Sequence, residues 1–284
     1  MTKTNYDFIT EALIKSLDAG VAPWQRSWAK LGSPKNLKSG KEYRGINRLL
    51  LSCSTFNSPN WLTYKQAQAL GGEVRKGEKG TKIVFWKIFE KDEIQADGST
   101  DLKRIPFLRH YTVFNLEQID GIEDPTPTVM DNFDPIEAAE QVWDAWDARP
   151  TLNHGGDQAY YRPSTDSIQM PPHEYFESAE AYYAVLFHEA THSTGAKKRL
   201  NRPAVAKISE MGRHSYQVEE LVAEIGAMFL CDAVGIEGVA DNSAAYIGHW
   251  RAQIKEEGAR VILNAAQAAQ KAADMVLGKK FATV

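Results

Sequence analysis

The sequence contains few cysteines and no long apolar segment. Its 284 residues include only two cysteines, Cys53 and Cys231, which lie in unrelated segments. This excludes a disulfide scaffold and a cysteine-based zinc ribbon, because both need dense or paired cysteines. No apolar run approaches the roughly 20 residues of a membrane helix, and the N-terminus does not have the pattern of a signal peptide. We therefore expect a cytoplasmic protein without a membrane partner.

Basic residues are concentrated at one end of the chain. Residues 1–89 hold 15 Lys and Arg against 6 Asp and Glu, whereas the rest holds 18 against 31, for a net charge of −4. The same basic segment contains four of the seven tryptophans. A basic segment beside an acidic one indicates that the two have different partners, and that the basic one binds a polyanion.

The pattern of elements predicts an α+β protein with two domains. An acidic, proline-rich stretch is typical of a linker, so we place a first domain at 1–120, a linker at 121–135 and a second domain at 136–284. Apolar spacing predicts a mixed α+β first domain and a mainly helical second domain. The expected helices are 5–19, a short one from 44, 62–72, 136–148, 178–194, 216–231 and 243–277; the expected strands are 81–89, 109–116, 158–163 and 167–172.

The run His188-Glu189-Ala-Thr-His192 carries the clearest chemistry. Residues i and i+4 lie above one another on a helix, so both imidazoles can reach one cation while Glu189 lies beside it. Ser178 as N-cap and Gly195 after the last turn predict a helix over 178–194. This spacing is typical of a zinc peptidase, in which a metal-activated water is deprotonated by a general base, here Glu189.

A third metal ligand is expected downstream. The apolar helix predicted over 216–231 carries Glu220 and Glu224 one turn apart, which suits one metal ligand and one carboxylate that orients a ligand histidine. The order Glu220, Ala223, Glu224 resembles the gluzincin-like families, and that resemblance makes Glu220 the ligand and Glu224 its supporting carboxylate. The reverse assignment stays open. Weaker ligand candidates are Glu219, Glu210 and His214; Tyr216 or His214 could stabilise an oxyanion.

Aromatic residues next to basic or amide residues suggest that the first domain binds single-stranded DNA, because unpaired bases stack on rings while Lys and Arg follow phosphates. A basic face over an aromatic core would give the same composition. Four ordered stretches then resemble the ArdC-type antirestriction proteins and the N-terminal region of TraC primases. They are Pro23-Trp24-Gln with Trp28, Lys41-Glu-Tyr43-Arg44-Gly-Ile-Asn47, Trp61-Leu-Thr-Tyr64-Lys65-Gln-Ala and Val74-Arg-Lys76-Gly-Glu-Lys79-Gly-Thr.

The second domain resembles the metallopeptidase-like domain fused to that region, through Phe187-His-Glu-Ala-Thr-His-Ser-Thr-Gly195, Arg199-Leu and Glu219-Glu-Leu-Val-Ala-Glu224. The resemblance spans about residues 5–275. It implies an antirestriction protein of a conjugative plasmid or similar mobile element, which binds single-stranded DNA and protects it from host restriction. The DNA contacts it implies are Trp24, Trp28, Tyr43, Arg44, Asn47, Trp61, Tyr64, Lys65, Lys76 and Lys79.

Two expectations about the metal centre follow. The metal is expected to be Zn²⁺, with Mn²⁺ as the alternative. In one reading the centre is a scaffold or docking module of a DNA-protecting protein; in the other it is a working protease, recruited to DNA, that cleaves a restriction enzyme subunit or another DNA-bound protein. A peptidase unrelated to DNA is the third reading. The intact His188, Glu189 and His192 favour retained chemistry.

Overall fold

The computed structural model describes residues 7–20, 22–23, 32–94, 100–125, 135–206, 213–237 and 244–279. Its first part alternates short helices and strands, as the sequence predicts. These elements are α1 (Asp7–Asp18), β1 (Lys35–Asn36), α2 (Ile46–Ser52), β2 (Asn60–Thr63), α3 (Tyr64–Ala69), β3 (Glu73–Val74), β4 (Thr81–Ile94), β5 (Thr100–Asn115) and β6 (Ile119–Asp120).

A four-stranded sheet with the order β1-β2-β5-β4 organises this part. The long strands β4 and β5 pair antiparallel, with Ile83 opposite Tyr111 and Phe85 opposite Arg109. Because side chains alternate along a strand, these four share one face of the sheet. The neighbouring Val84 belongs to the opposite face, where it is buried.

The second part is mainly helical. Its elements are α4 (Pro135–Ala145), β7 (Thr151–His154), β8 (Tyr160–Arg162), β9 (Ser167–Met170), α5 (Ala179–Thr194), α6 (Pro203–Ala206), α7 (Arg213–Ala233), α8 (Ala244–Glu257) and α9 (Ala259–Val276). The three strands form a small sheet of order β7-β9-β8, in which β7 and β9 are parallel. No described helix is long and apolar enough to cross a membrane.

One hydrophobic core joins the two parts. Ile9, Leu13 and Leu17 form the buried stripe of α1 and pack in the same cluster as α2, α5, α7 and α9. Among the described residues, the ion pairs Arg44–Asp274, Arg48–Asp232 and Arg251–Asp18 cross this boundary, and Arg48–Asp232 is almost completely buried. The first domain is therefore held against the helices that carry the predicted metal ligands.

Two glycines behave differently from the sequence prediction. Gly195 ends α5 with a right-handed φ of −73°, so it is not the left-handed C′ glycine that we expected. It is required for space, because a Cβ there would lie 2.6 Å from Val205 Cγ2. Gly258, with φ of +73°, divides the single helix expected over 243–277 into α8 and α9.

Candidate metal centre and nucleic-acid surface

The predicted metal helix forms where the sequence places it. Ser178 caps α5 by accepting a hydrogen bond from the Ala181 N–H at 3.2 Å, as a serine N-cap does. Tyr182, Leu186 and Glu189 lie on its buried side. Both histidines of the motif are only partly buried, so their rings can reach a ligand at the edge of the core.

His188, His192 and Glu220 come together as a three-ligand cluster, their ligand atoms all within 4.8 Å of one another. The two Nε2 atoms are 3.2 Å apart, and the Glu220 oxygens lie 3.6 Å from His188 Nε2 and 3.5 Å from His192 Nε2. Ligands about 2.1 Å from a tetrahedral zinc are roughly 3.3 to 3.5 Å apart. These side chains therefore fit one face of a tetrahedral site and leave its fourth position for a water or a substrate.

The carboxylate that supports His192 is Glu219. Its Oε1 lies 3.4 Å from His192 Nδ1, and the Arg202 guanidinium donates to both of its oxygens, at 3.0 Å from Nε to Oε2 and 2.5 Å from Nη2 to Oε1. Burial tends to raise the pKa of Glu219, but His192 and Arg202 outweigh it, so the pKa is lowered. Glu219 is thus an anion that holds the Nδ1 proton of His192 and turns Nε2 toward the cluster.

At His192, therefore, Glu219 occupies the supporting position that the sequence analysis gave to Glu224. Glu224 lies outside the three-ligand cluster, and its charge acts on His188. Burial lowers the pKa of His188, but Glu220, Glu224 and Glu189 together reverse the effect and raise it. Among the described residues the geometry favours Glu220 as the third ligand; Glu210 and the side chain of His214 lie outside the described part of the chain.

Tyr216 lies beside the cluster, one helical turn before Glu220 on α7. Its ring is 56% exposed. A hydrogen bond to the Glu220 carboxylate, together with partial burial, raises the pKa of Tyr216 to about 12. The hydroxyl therefore stays protonated at neutral pH and can donate a hydrogen bond, as an oxyanion stabiliser must.

A close helix contact sets the distance between the two halves of the metal centre. Gly226 of α7 faces Thr191 of α5, and a Cβ at position 226 would lie 2.4 Å from Thr191 Cγ2. Only glycine permits this approach. The contact brings Glu219 and Glu220 on α7 within reach of the histidines on α5.

The end of strand β7 is attached to the metal helix by residues that the sequence reasoning missed. His154 Nε2 is 2.8 Å from the hydroxyl of Tyr182, and the His173 ring stacks on Tyr182 with centroids 3.9 Å apart. Histidines this far apart in sequence give no recognisable spacing signal. Arg202 was missed for the same reason, because only the fold brings it between α5 and α7.

The predicted DNA contacts separate into exposed and internal residues. Tyr64, Lys65, Lys76 and Lys79 are exposed, and Trp24 and Trp28 lie outside the described residues. The prediction that Trp61 stacks on a base is wrong, because the ring is 0% exposed in the central strand β2.

The other three candidates contact the protein itself. Asn47 exchanges hydrogen bonds of 2.7 Å with the backbone N–H and C=O of Val84, and Arg44 forms the ion pair with Asp274. Tyr43 is buried, with its hydroxyl 3.4 Å from Asn36 Nδ2. Tyr43, Arg44 and Asn47 thus contribute to packing or to contact between the domains. The residues next to them in sequence do not indicate this.

Comparison with known proteins agrees with this arrangement. Residues 137–268 match the family model described as a zincin-like metallopeptidase, and residues 3–114 match the N-terminal domain of the anti-restriction factor ArdC. The fold and site thus define a two-domain protein in which an ArdC-type N-terminal domain precedes a zincin-like domain.

Individual relatives extend over nearly the whole chain. The crystal structure of the antirestriction ArdC protein from plasmid R388 in its metal-free form is 38% identical, with a TM-score of 0.77, and the match covers 96% of this chain and 97% of that one. Its Mn(II)-bound form is 37% identical, with a TM-score of 0.74 and coverage of 97% and 98%. The chain belongs to the ArdC antirestriction family.

Two sequence relatives add to this. The uncharacterized protein y4eC of Sinorhizobium fredii (strain NBRC 101917 / NGR234) is 37% identical, and the match covers 95% of this chain and 90% of that protein. A DNA primase TraC of Escherichia coli is 40% identical over 97% of this chain, but the match covers only 27% of the primase. The chain thus spans about a quarter of that relative's length.

Proposed function

We propose that this chain is an antirestriction protein of a conjugative plasmid or similar mobile element. It binds single-stranded DNA through its N-terminal domain and so shields that DNA from host restriction enzymes. The observation that carries the proposal is the match to antirestriction ArdC over both domains, at 38% identity and 97% coverage of that chain. The basic charge of residues 1–89 and the exposed Tyr64, Lys65, Lys76 and Lys79 support it.

The second part of the proposal is that His188, His192 and Glu220 hold a divalent cation, Zn²⁺ or Mn²⁺. Two imidazole nitrogens and one carboxylate are donors that both ions accept, and the Mn(II)-bound ArdC structure supports manganese. Such a cation supplies Lewis-acid chemistry. Glu219 and Arg202 fix the orientation of His192, so the centre is preorganised by the protein's own hydrogen bonds.

The second candidate function is a DNA-recruited metalloprotease that cleaves a restriction subunit or another DNA-bound protein. One feature of the site favours it. Glu189 is not one of the three residues of the metal-ligand cluster. Its charge nevertheless acts on both His188 and Tyr216. A carboxylate base and a protonated hydroxyl therefore flank the cluster. In this mechanism the Glu189 carboxylate accepts a proton from the attacking water and passes it to the leaving nitrogen. The Tyr216 hydroxyl donates a hydrogen bond to the oxygen of the scissile carbonyl.

The DNA-binding claim is tested by salt dependence. For single strands, log K falls with log salt by about 0.7 for each phosphate contact. Lys76→Ala and Lys79→Ala should each weaken the binding of a fluorescent oligonucleotide and reduce that slope by about 0.7. Lys271→Ala, an exposed lysine on α9, is the matched control and should change neither quantity. An affinity that does not vary with salt would remove the basis for phosphate contact.

A further inference from the structure

A cavity of about 570 Å³ opens on the outer face of the four-stranded sheet. Its lining comes from four segments that are far apart in sequence, at 36–43, 63–66, 83–85 and 109–113. No local sequence motif therefore predicts it. A volume of this size is ordinary for a small-molecule or nucleotide site. The cavity lies in the N-terminal domain, on the sheet face opposite to that of Val84.

Two of the aromatic rings that line this cavity are largely exposed to solvent. Phe85 is 47% exposed and Tyr111 is 43% exposed, and their rings meet edge to face with centroids 5.4 Å apart. Adjacent apolar side chains that stay exposed to water often mark a binding site. A pair of exposed rings at the edge of a cavity is such a feature. In an edge-to-face pair, one ring keeps a face open on which a flat partner can stack.

The lining of the cavity is mainly apolar, but it includes polar groups that hydrogen bonds hold in place. Gln66 Oε1 accepts hydrogen bonds from Asn36 Nδ2 and from the Thr63 backbone N–H, both at 2.9 Å. The Nε2 amino group of Gln66 takes no part in these two bonds. Tyr43 adds a hydroxyl whose pKa is raised by burial, so it stays protonated. The cavity thus offers an amide and a hydroxyl at fixed positions beneath an aromatic wall.

Two basic side chains lie at the mouth of the cavity. Lys41 and Arg109 both line the cavity and are both exposed, and among the described residues Glu42 is the one acidic residue that lines it. Below the cavity, Trp61, Ile83 and Val113 form a small core with Tyr43. Ile83 and Val113 also line the cavity, so this core forms its floor.

We propose that this cavity receives one unpaired nucleobase of a single DNA strand, which stacks on the Phe85–Tyr111 pair while Lys41 and Arg109 contact the adjoining phosphates. The inference rests on the proposed function, because it assigns a base-binding site to that DNA-binding domain. An aromatic wall, polar hydrogen-bonding groups and a cationic mouth match the three parts of a nucleotide: a flat base, its polar edge and its phosphate.

The test compares variants in oligonucleotide binding. Phe85→Ala and Tyr111→Ala should each weaken affinity about 5- to 150-fold, the range for the loss of one stacked base. Phe85→Leu keeps an apolar side chain without a π-face and should lose nearly as much. Tyr175→Ala removes a more exposed ring in the second domain, at 64% exposure, and should bind as the wild type does. Circular dichroism melts establish that each variant is folded.

Crosslinking provides a readout that needs no variant. An oligonucleotide with one 4-thiothymidine should photocrosslink to the wild-type protein at Tyr111, Phe85 or a neighbouring lining residue, as mapped by mass spectrometry. If the wild type binds with the expected salt slope but Phe85 and Tyr111 variants are silent and crosslinks fall elsewhere, the cavity proposal is overturned while DNA binding stands. If the wild type binds no single strand, both are overturned.

Discussion

Replacing one glycine should disturb the metal centre from a distance. In Gly226→Ala the new Cβ would lie 2.4 Å from Thr191 Cγ2 and 2.7 Å from its Oγ1, whereas ordinary carbon contacts are about 3.5 Å or more. Thr191 cannot move aside, because it is fully buried and its hydroxyl donates to the Phe187 carbonyl at 2.8 Å. Helices α5 and α7 must therefore separate by about 1 Å.

The expected cost follows from two opposing effects. Overpacking a core costs about 1 to 3 kcal/mol, and alanine recovers about 0.8 to 1 kcal/mol of helix propensity over glycine. We therefore expect Gly226→Ala to lose about 0 to 2 kcal/mol of unfolding free energy. Because ligand distances tolerate only about 0.2 Å, the dissociation constant for Zn²⁺ should also rise, by about 10- to 100-fold.

A second helical glycine gives the matched control. Gly248 lies in α8 with nothing within 4 Å of a Cβ built on it, so Gly248→Ala should gain about 0.5 to 1 kcal/mol and leave zinc affinity unchanged. Chemical denaturation and calorimetric zinc titration measure both. Thr191→Ala in the Gly226→Ala background should restore much of the loss. A Gly226→Ala protein as stable and as zinc-binding as Gly248→Ala would refute the close-contact argument.

Two further predictions concern charged contacts. Glu219→Gln removes the anion between His192 and Arg202, so zinc affinity should fall about 10- to 100-fold in a chelator competition assay, while the dissociation constant for DNA stays unchanged. Burial raises the pKa of Asp166, but Lys198 and Arg199 outweigh it and lower the pKa overall. Asp166→Asn should therefore cost about 3 kcal/mol at pH 7, since Arg199 is 2% exposed. Its deficit against the wild type should be full above about pH 4 and shrink as the pH falls further, through the lowered pKa of Asp166 in the folded protein; a deficit that does not change between pH 7 and about pH 2 would show that charge is not its cause.

Much of the metal centre could be predicted because its information is local. The spacing of His188, Glu189 and His192 on one helix, with Ser178 as its cap, needs no tertiary structure to interpret. The choice among Glu219, Glu220 and Glu224 is different, because three carboxylates on two faces of α7 are separated only by how α7 crosses α5. The structure brings Glu219 to His192 Nδ1 and Glu220 to the Nε2 atoms.

The candidate DNA contacts were less predictable, because their exposure depends on contacts between distant segments. Trp61 and Tyr64 are three residues apart in one motif, yet the first is in a central strand and the second is exposed at the start of α3. Phe85 and Tyr111 become neighbours only through the β4–β5 register. Strand pairing between distant segments, rather than any local pattern, decides which aromatic rings face solvent.

Protection of DNA by a Glu189→Gln variant tests the central claim most directly. In a conjugation assay into a restricting host, we expect this variant to protect the incoming DNA as well as the wild type does, because we attribute protection to binding of the strand. Lys76→Ala combined with Lys79→Ala should lose protection. If Glu189→Gln binds single-stranded DNA and zinc normally but fails to protect, protection depends on proteolysis and the account is contradicted.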